Sequence, residues 1–405
     1  MRTIDSILAE YRGIGPGFDF LRITLAVTIV LTHAGLLLGH FWISKTPLWF
    51  AGYALVPMFF ALSGFLVAGS AMRLSLRNFL LNRELRIIPA LAVDVVICVL
   101  IIGPIVTTVP LTTYFTDSRF FSYFLNVFGW IHYHLPGVFE DHVNTRVNGA
   151  LWTVPYEIFC YSIMSLLIVS RWIFRPLMVV ALTLTLLGAG LLVENISAML
   201  GSSTADVLEF LFTSRGSQLL MAFLFGILMF QLKAYIPYSW TLMAIACAIC
   251  IIAIFTLGSE SRESVANRFI LLPALVYITV FIGLTPIPLP KIVHSGDYSY
   301  GIYLYHDPLL QIIISVLPLS LLGPKLGWPV LALLGVPAVS LLAAFSWHVI
   351  EKPILAMRKK FSFVARVRGV ADQADASVAP PLSEVAGETP DNAETISSDA
   401  VPLRT

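Results

Sequence analysis

Long, uninterrupted apolar runs dominate the chain and decide what it can fold into. A membrane-crossing helix needs roughly 20 mostly apolar residues. Stretches of that kind lie at about 18–39, 48–70, 87–109, 150–170, 176–193, 216–232, 239–257, 269–286, 298–318 and 326–347. Lipid offers no partner to backbone N–H and C=O groups, so only helices and closed barrels can span it. A barrel would show short alternating segments between turns, whereas these runs are continuous. Composition agrees, with 58% apolar and only 12% charged residues, where a soluble domain carries about 25% charged. The expectation is an all-α integral membrane protein of about ten transmembrane helices. The aromatic stretch 119–131 is too short to span and is expected at the interface.

Charge bias sets the expected orientation, because cytoplasmic loops carry the excess of Lys and Arg. With the N-terminus inside, the inner segments hold Arg2, Arg12, Arg73, Arg77, Arg83, Arg86, Arg171, Arg175, Lys233, Lys291 and the basic run 352–368. The outer loops hold fewer: Lys45, Arg119, Arg146, Arg215, Arg262, Arg268 and Lys325. Both termini are therefore expected in the cytoplasm, as an even helix count also requires. The first residues lack the zones of a signal peptide, so the first helix should remain as an anchor. Residues 1–355 are expected to form the transmembrane domain. Residues 356–405 are expected to be a basic juxtamembrane segment and a disordered cytosolic tail, rich in Ala, Ser, Pro, Asp and Glu with little to bury.

A net charge of +1 gives no reason to expect a nucleic-acid partner. Cys98, Cys160, Cys247 and Cys250 all fall inside apolar runs, which suits small buried hydrophobes better than disulfides or metal ligands.

Ionisable groups in a membrane helix are costly, roughly 2.5–3.5 kcal/mol each on insertion scales, and mark function. They lie in the first, third, fourth and ninth runs: Arg22 and His33, Asp94, Glu157, then His306 and Asp307. Runs five to eight and ten carry none in their interiors and are expected to be scaffold. At about 1.5 Å per residue, Arg22 sits near the cytosolic face and His33 about 16 Å further out. The same estimate brings Glu157 to about the depth of His33, so the two are expected to pair as an imidazole and its orienting carboxylate. His306 and Asp307 fall nearer mid-membrane, and Ser63 about a third of the way from the cytosol. Each residue also has a plainer reading: His33 as a satisfied packing residue, Arg22 as a topology marker, Arg73 to Arg86 as positive-inside signal. Arg83 and Arg86 share a helix face, and guanidinium forks suit phosphates. His132, His134 and His142 read as a solvated outer loop, and no metal is expected.

Six segments in order resemble the membrane acyltransferase-3 family. FDFLRITLAVTIVLTHA resembles its Arg-x10-His signature through Arg22 and His33. VPMFFALSGF resembles its Phe-Phe-x-x-Ser-Gly-Phe segment, with Ser63. NRELRIIPAL resembles Arg-x-x-Arg-Ile-x-Pro, from Arg83 through Arg86 to Pro89. LWTVPYE is similar to Leu-Trp-Ser-Leu-x-x-Glu, through Trp152 and Glu157, with Thr153 where Ser is common. GDYSYGIYLYHDPLL resembles Ser-Tyr-x-x-Tyr-Leu-x-His-x-Pro, through Tyr300 and His306. FSWHVIEKPI resembles the closing Ile-Glu-x-Pro at Glu351 and Pro353. The resemblance covers about residues 15 to 355. No fused hydrolase-like domain accompanies it, so any accessory step by such a domain is expected from a separate protein.

The resemblance implies transfer of an acyl group, usually acetyl, from cytosolic acyl-CoA to a hydroxyl of an exported or cell-surface glycan, in a bacterial inner membrane. It implies His33 as catalytic residue and Arg22 as essential helper. A hydroxyl is a poor nucleophile at neutral pH, and imidazole is the usual general base. Glu157 is expected to hold its tautomer, Arg22, Arg83, Arg86 and Ser63 to hold the acyl-CoA, and Trp152, Tyr300 and His306 to meet the substrate. Expected partners are membrane lipid, the glycan acceptor and polysaccharide-assembly proteins. Two other classes stay open: a multi-pass transporter or flippase, against which the lack of an evident repeat weighs, and an assembly partner without chemistry.

Overall fold

The structure, a computed structural model, describes residues 2–361 apart from 14, 42–44, 200, 259–263, 289, 291–295 and 318–321. The expected cytosolic tail, 369–405, lies outside the described residues. Met1–Arg358 form one compact unit. Among the described residues there are helices and no strands, as the apolar runs require.

The long helices are α1 (Phe18–Leu37), α2 (Trp49–Ala71), α3 (Leu76–Val96), α4 (Val154–Val169), α5 (Pro176–Ile196), α6 (Ser202–Phe212), α7 (Arg215–Gln231), α8 (Trp240–Thr256), α9 (Val265–Leu284), α10 (Ser299–Val316) and α11 (Gly323–Ser346). Eight helical stretches among the described residues are long and apolar enough to cross a membrane. The other two expected spans also exist as helices. α8 has 17 residues, and α10 has 18 but carries His306, Asp307 and Gln311. The stretch 119–131 breaks into two short turns of helix, Ser118–Tyr123 and Phe124–Phe128, and does not span.

Helix ends follow local chemistry. Ser75 caps α3 by accepting from Asn78 N–H, and Ser214 caps α7 by accepting from Ser217 N–H, which gives acceptors to N–H groups the helix itself leaves unpaired. Beyond α1, Gly39 takes φ +78°, a left-handed turn that suits glycine. Large apolar side chains such as Leu177, Phe255, Leu333 and Leu341 face outward, a surface only lipid chains would cover.

α2 and α7 make the closest helix pair, and glycine is the reason. A Cβ on Gly64 would lie 2.1 Å from the Phe223 carbonyl oxygen, and one on Gly226 would lie 2.1 Å from that of Ala61. Lipid tails give two helices no hydrophobic reason to associate, so close backbone approach through small residues takes over. α10 packs on both α1 and α11, which brings the runs carrying His33 and His306 together.

One expectation fails. The ninth helix begins at Val265, so Arg268 lies in its first turn rather than in an outer loop, and it is fully buried. It donates to Ser217 Oγ at 2.7 Å and to the carbonyls of Phe212, Thr213 and Ser214 at the end of α6. Those carbonyls have no partner of their own helix, and a cation at a helix C-terminus is favourable. The later helices are thus not uniformly apolar: Arg268 braces α9 against the end of α6, and Arg215 begins α7.

Gly64→Val or Gly226→Val should destabilise the bundle by about 1–3 kcal/mol, the usual cost of overpacking. Gly188→Ala, with nothing within 4 Å of its Cβ, should be neutral. Melting temperatures of the detergent-solubilised variants check both.

Candidate active site

Proline shapes the centre of α10. Pro308 has no N–H, so the carbonyl of Leu304 loses its helical partner. Asn148 Nδ2 fills that vacancy at 2.9 Å and also donates to Asp94 Oδ2 at 2.9 Å. Asn148 Oδ1 accepts from Ala150 N–H at 2.9 Å, capping the 3-10 turn Gly149–Thr153 that leads into α4. One buried amide thus ties α3, α4 and α10 together.

On this frame three side chains converge. His33 Nδ1 lies 3.0 Å from Asp307 Oδ1 and 2.9 Å from His306 Nε2. His306 Nε2 lies 3.2 Å from Asp307 Oδ1. His306 Nδ1 donates to the Tyr303 carbonyl at 2.5 Å, so its Nε2 lone pair faces His33. The network then assigns His33 a proton on Nδ1, shared toward Asp307 and His306, and leaves Nε2 as the free base. Asp307 and His306 are buried, while the His33 side chain is 31% exposed. That exposure opens into a pocket lined by Trp49, Val56, Asn144, Arg146, Gly149, Trp152, Arg215 and Asp307, among others. The Arg215 guanidinium lies 5.1 Å over the Trp152 ring. Gln311 pins the loop above this pocket, meeting His142 Nδ1 at 2.6 Å and donating to the Asn144 carbonyl at 2.6 Å.

A second pocket lies at the Arg22 end of α1. Its lining includes Arg22, Val56, Ser63, Arg83, Arg86, Thr153, Glu157, Tyr161, Tyr300 and Tyr303. Val56 lines both pockets, and the neighbours Trp152 and Thr153 face one each. The partition between them is therefore a few side chains thick.

The expected pairing of His33 with Glu157 is not what the structure brings together. Glu157 sits in the arginine pocket, where its Oε1 accepts from Tyr161 at 2.8 Å. The depth estimate took α4 to start at about 150, but a 3-10 turn occupies 149–153. Asp307 is the carboxylate that His33 finds. Ser63 and Tyr300 join Glu157, Trp152 lies on the His33 side, and His306 touches His33 itself. Asn148 and Asp307 were missed as site residues. Asp307 was visible as an ionisable group beside His306, and the following Pro308 was the signal that a carbonyl of this helix needs an outside donor.

The three arginines are not equivalent. Asp297, just before α10, takes Arg86 at 2.6 Å and Arg22 at 3.6 Å, and Arg22 also reaches Asp19 at 3.5 Å. Arg83 has no carboxylate partner among the described residues; it lies 5.9 Å over the Tyr161 ring with a buried, unsatisfied Nε. Arg83 is thus the guanidinium among these three without a carboxylate in ion-pair contact, although Glu157 lines the same pocket.

A pair of linked pockets, one rich in guanidinium groups and one holding an imidazole–carboxylate pair, is the equipment of a group-transfer enzyme set within a helix bundle. The chain belongs to the acyltransferase-3 family, whose model, described as an acyltransferase domain, matches residues 16–347. It is 26% identical over 355 residues to the O-acetyl transferase of Shigella phage Sf6, covering 84% of this chain and 95% of the phage protein. It is 27% identical over 387 residues to nodulation protein 10 of Rhizobium leguminosarum bv. viciae, covering 87% and 96%. No solved structure matches.

Burial pushes the Asp297 carboxyl up, but the guanidiniums of Arg86 and Arg22 outweigh it and hold it at about 2. A depressed carboxyl stabilises the fold above its unfolded value and loses that contribution as pH falls through the folded one. At 1.36 kcal/mol per unit the contribution is about 2 kcal/mol. Asp297→Asn should therefore lower the melting temperature by a constant amount from pH 7 to about 5, and the gap should close as pH falls from about 4 toward 2.

Proposed function

We propose that this protein transfers an acyl group, acetyl in the simplest case, from cytosolic acyl-CoA to a hydroxyl of an exported or cell-surface glycan. The observation that carries the reading is the His33–Asp307 contact at 3.0 Å, in a pocket adjoining an arginine-lined one. The charge bias of the loops favours the Arg22 end at the cytosol and the His33 end outward, and the membrane is on this reading a bacterial inner membrane. Acyl-CoA then enters at the arginine pocket. Arg83 meets its phosphates, while Arg22 and Arg86, held by Asp297, line the mouth. Ser63, Glu157 and Tyr300 border the channel for the pantetheine arm. The thioester passes the Val56, Thr153 and Tyr303 partition to reach His33.

The acceptor sugar enters from the other side, against Trp152 and Arg215. An indole face suits the apolar face of a sugar ring, and a guanidinium supplies donors to its hydroxyls. His33 Nε2 takes the hydroxyl proton as the oxygen attacks the thioester carbonyl. Asp307 fixes the Nδ1–H tautomer and steadies the imidazolium that forms, as the acid of a triad does. Collapse of the tetrahedral intermediate forms the ester, and the proton leaves with the CoA sulfur. The names of the phage and rhizobial relatives support acyl transfer to oxygen; the glycan class rests on the motif resemblance.

Labelled acetyl-CoA, supplied to membranes with the cognate glycan, tests this. His33→Ala should abolish labelling, and Asp307→Asn should cut kcat by about 10²–10⁴-fold, the range of general-base catalysis. Glu157→Gln should act on the donor instead, raising KM for acetyl-CoA with kcat little changed. Glycan export that proceeds without label, and is indifferent to His33, would identify a transporter instead.

A further inference from the structure

His33, His306 and Asp307 meet more tightly than a base and its orienting acid require. Their facing atoms, His33 Nδ1, His306 Nε2 and Asp307 Oδ1, form a triangle with sides of 2.9, 3.0 and 3.2 Å. Three ligands at about 2.1 Å from one ion stand about 3.0 Å apart on an octahedral face and about 3.4 Å apart on a tetrahedral one. The triangle's sides match the octahedral face to within about 0.2 Å. Among the described residues, it is the group of histidine, cysteine and acidic side chains whose ligand atoms converge in this way.

We propose that this triangle binds a divalent transition-metal ion, zinc above all, and that the bound ion switches acyl transfer off. Two imidazoles and one carboxylate suit zinc, cobalt, nickel and copper, whereas magnesium and calcium prefer all-oxygen sites. The surroundings match those of metal ligands. His306 gives its other ring N–H to the Tyr303 carbonyl at 2.5 Å, the usual way a ligating histidine is oriented. Tyr303 is itself fixed, its Oη 3.0 Å from Thr153 Oγ1. The second oxygen of Asp307 backs onto Gly149, where a Cβ would come within 2.6 Å of it, so a residue without a side chain is what lets the carboxylate sit there. Because His33 faces the pocket while the other two are buried, the ion reaches the site from that pocket and keeps its remaining water there.

Inhibition follows from the tautomer and rests on the reading of His33 as base; the binding site does not. The ion takes the lone pair of His33 Nδ1. A neutral imidazole bound through Nδ1 carries its proton on Nε2. Metal binding thus breaks the Nδ1–H bond, forms the Nε2–H bond and releases no proton from the ring, while the ion gives up water. Nε2 can then no longer accept the proton of the acceptor hydroxyl.

The test uses the full-length, tag-free protein in lipid nanodiscs, with Co²⁺ and Zn²⁺ as probes. One Co²⁺ should bind per chain, and X-ray absorption of the zinc-loaded wild type should show two imidazole nitrogens. His306→Ala and Asp307→Asn should each weaken Zn²⁺ binding by at least about tenfold, while His132→Ala and His134→Ala should leave it unchanged. Zn²⁺ should block transfer of labelled acetyl, and a chelator should restore it. Absence of stoichiometric binding, or a zinc spectrum without two imidazoles, overturns the site, and needs no variant to fold. Binding as described with transfer unimpaired overturns the inhibition, and with it the reading of His33 as base.

Discussion

The contact between His33 and Asp307 joins α1 to α10, and the polar architecture of the bundle is arranged around it. An uncompensated carboxylate in an apolar interior is expensive, so it persists only where every neighbour is satisfied. Here the satisfaction runs through backbone as well as side chains. Pro308 frees the Leu304 carbonyl, Asn148 takes it up, and the same amide reaches Asp94 and caps the turn into α4. His306 secures the Tyr303 carbonyl one turn earlier. A helix with one backbone bond missing is thereby secured as a platform for one imidazole.

The arginine pocket works by a different balance. Two of its three guanidiniums are held by one carboxylate, Asp297, which fixes them at the mouth and offsets their charge. Arg83 makes no such ion pair among the described residues. The two pockets touch through Val56 and the Trp152–Thr153 step. On the proposed reaction, only the reactive end of the donor would cross between them, with its charged end left behind.

Much of this was legible in the sequence. The apolar runs give the helices because lipid leaves the backbone no alternative, and the Arg22–His33 spacing predicts opposite ends of one helix, each opening on its own pocket. The partner of His33 was not legible. Depth reckoned at a constant rise makes Glu157 a neighbour of His33, yet a 3-10 turn precedes α4 and Glu157 lies in the arginine pocket. The sequence does not link Asp94 to the ninth run, because the amide that joins them, Asn148, lies in a loop at the edge of an apolar run. Arg268 read as a loop residue because its helix starts earlier than hydropathy alone suggests; a buried arginine whose partners are helix-end carbonyls leaves no signature in a window average.

The central claim is that Asp307 holds His33 as the Nδ1–H tautomer, with Nε2 free to act as base. Nitrogen-15 NMR of the histidine-labelled protein in nanodiscs, with His33 assigned by its loss in His33→Gln, reads this directly. The account predicts a protonated Nδ1 and an unprotonated Nε2 in the neutral ring, with the proton moving toward Nε2 in Asp307→Asn. A wild-type His33 that carries its proton on Nε2, indifferent to Asp307, would contradict it.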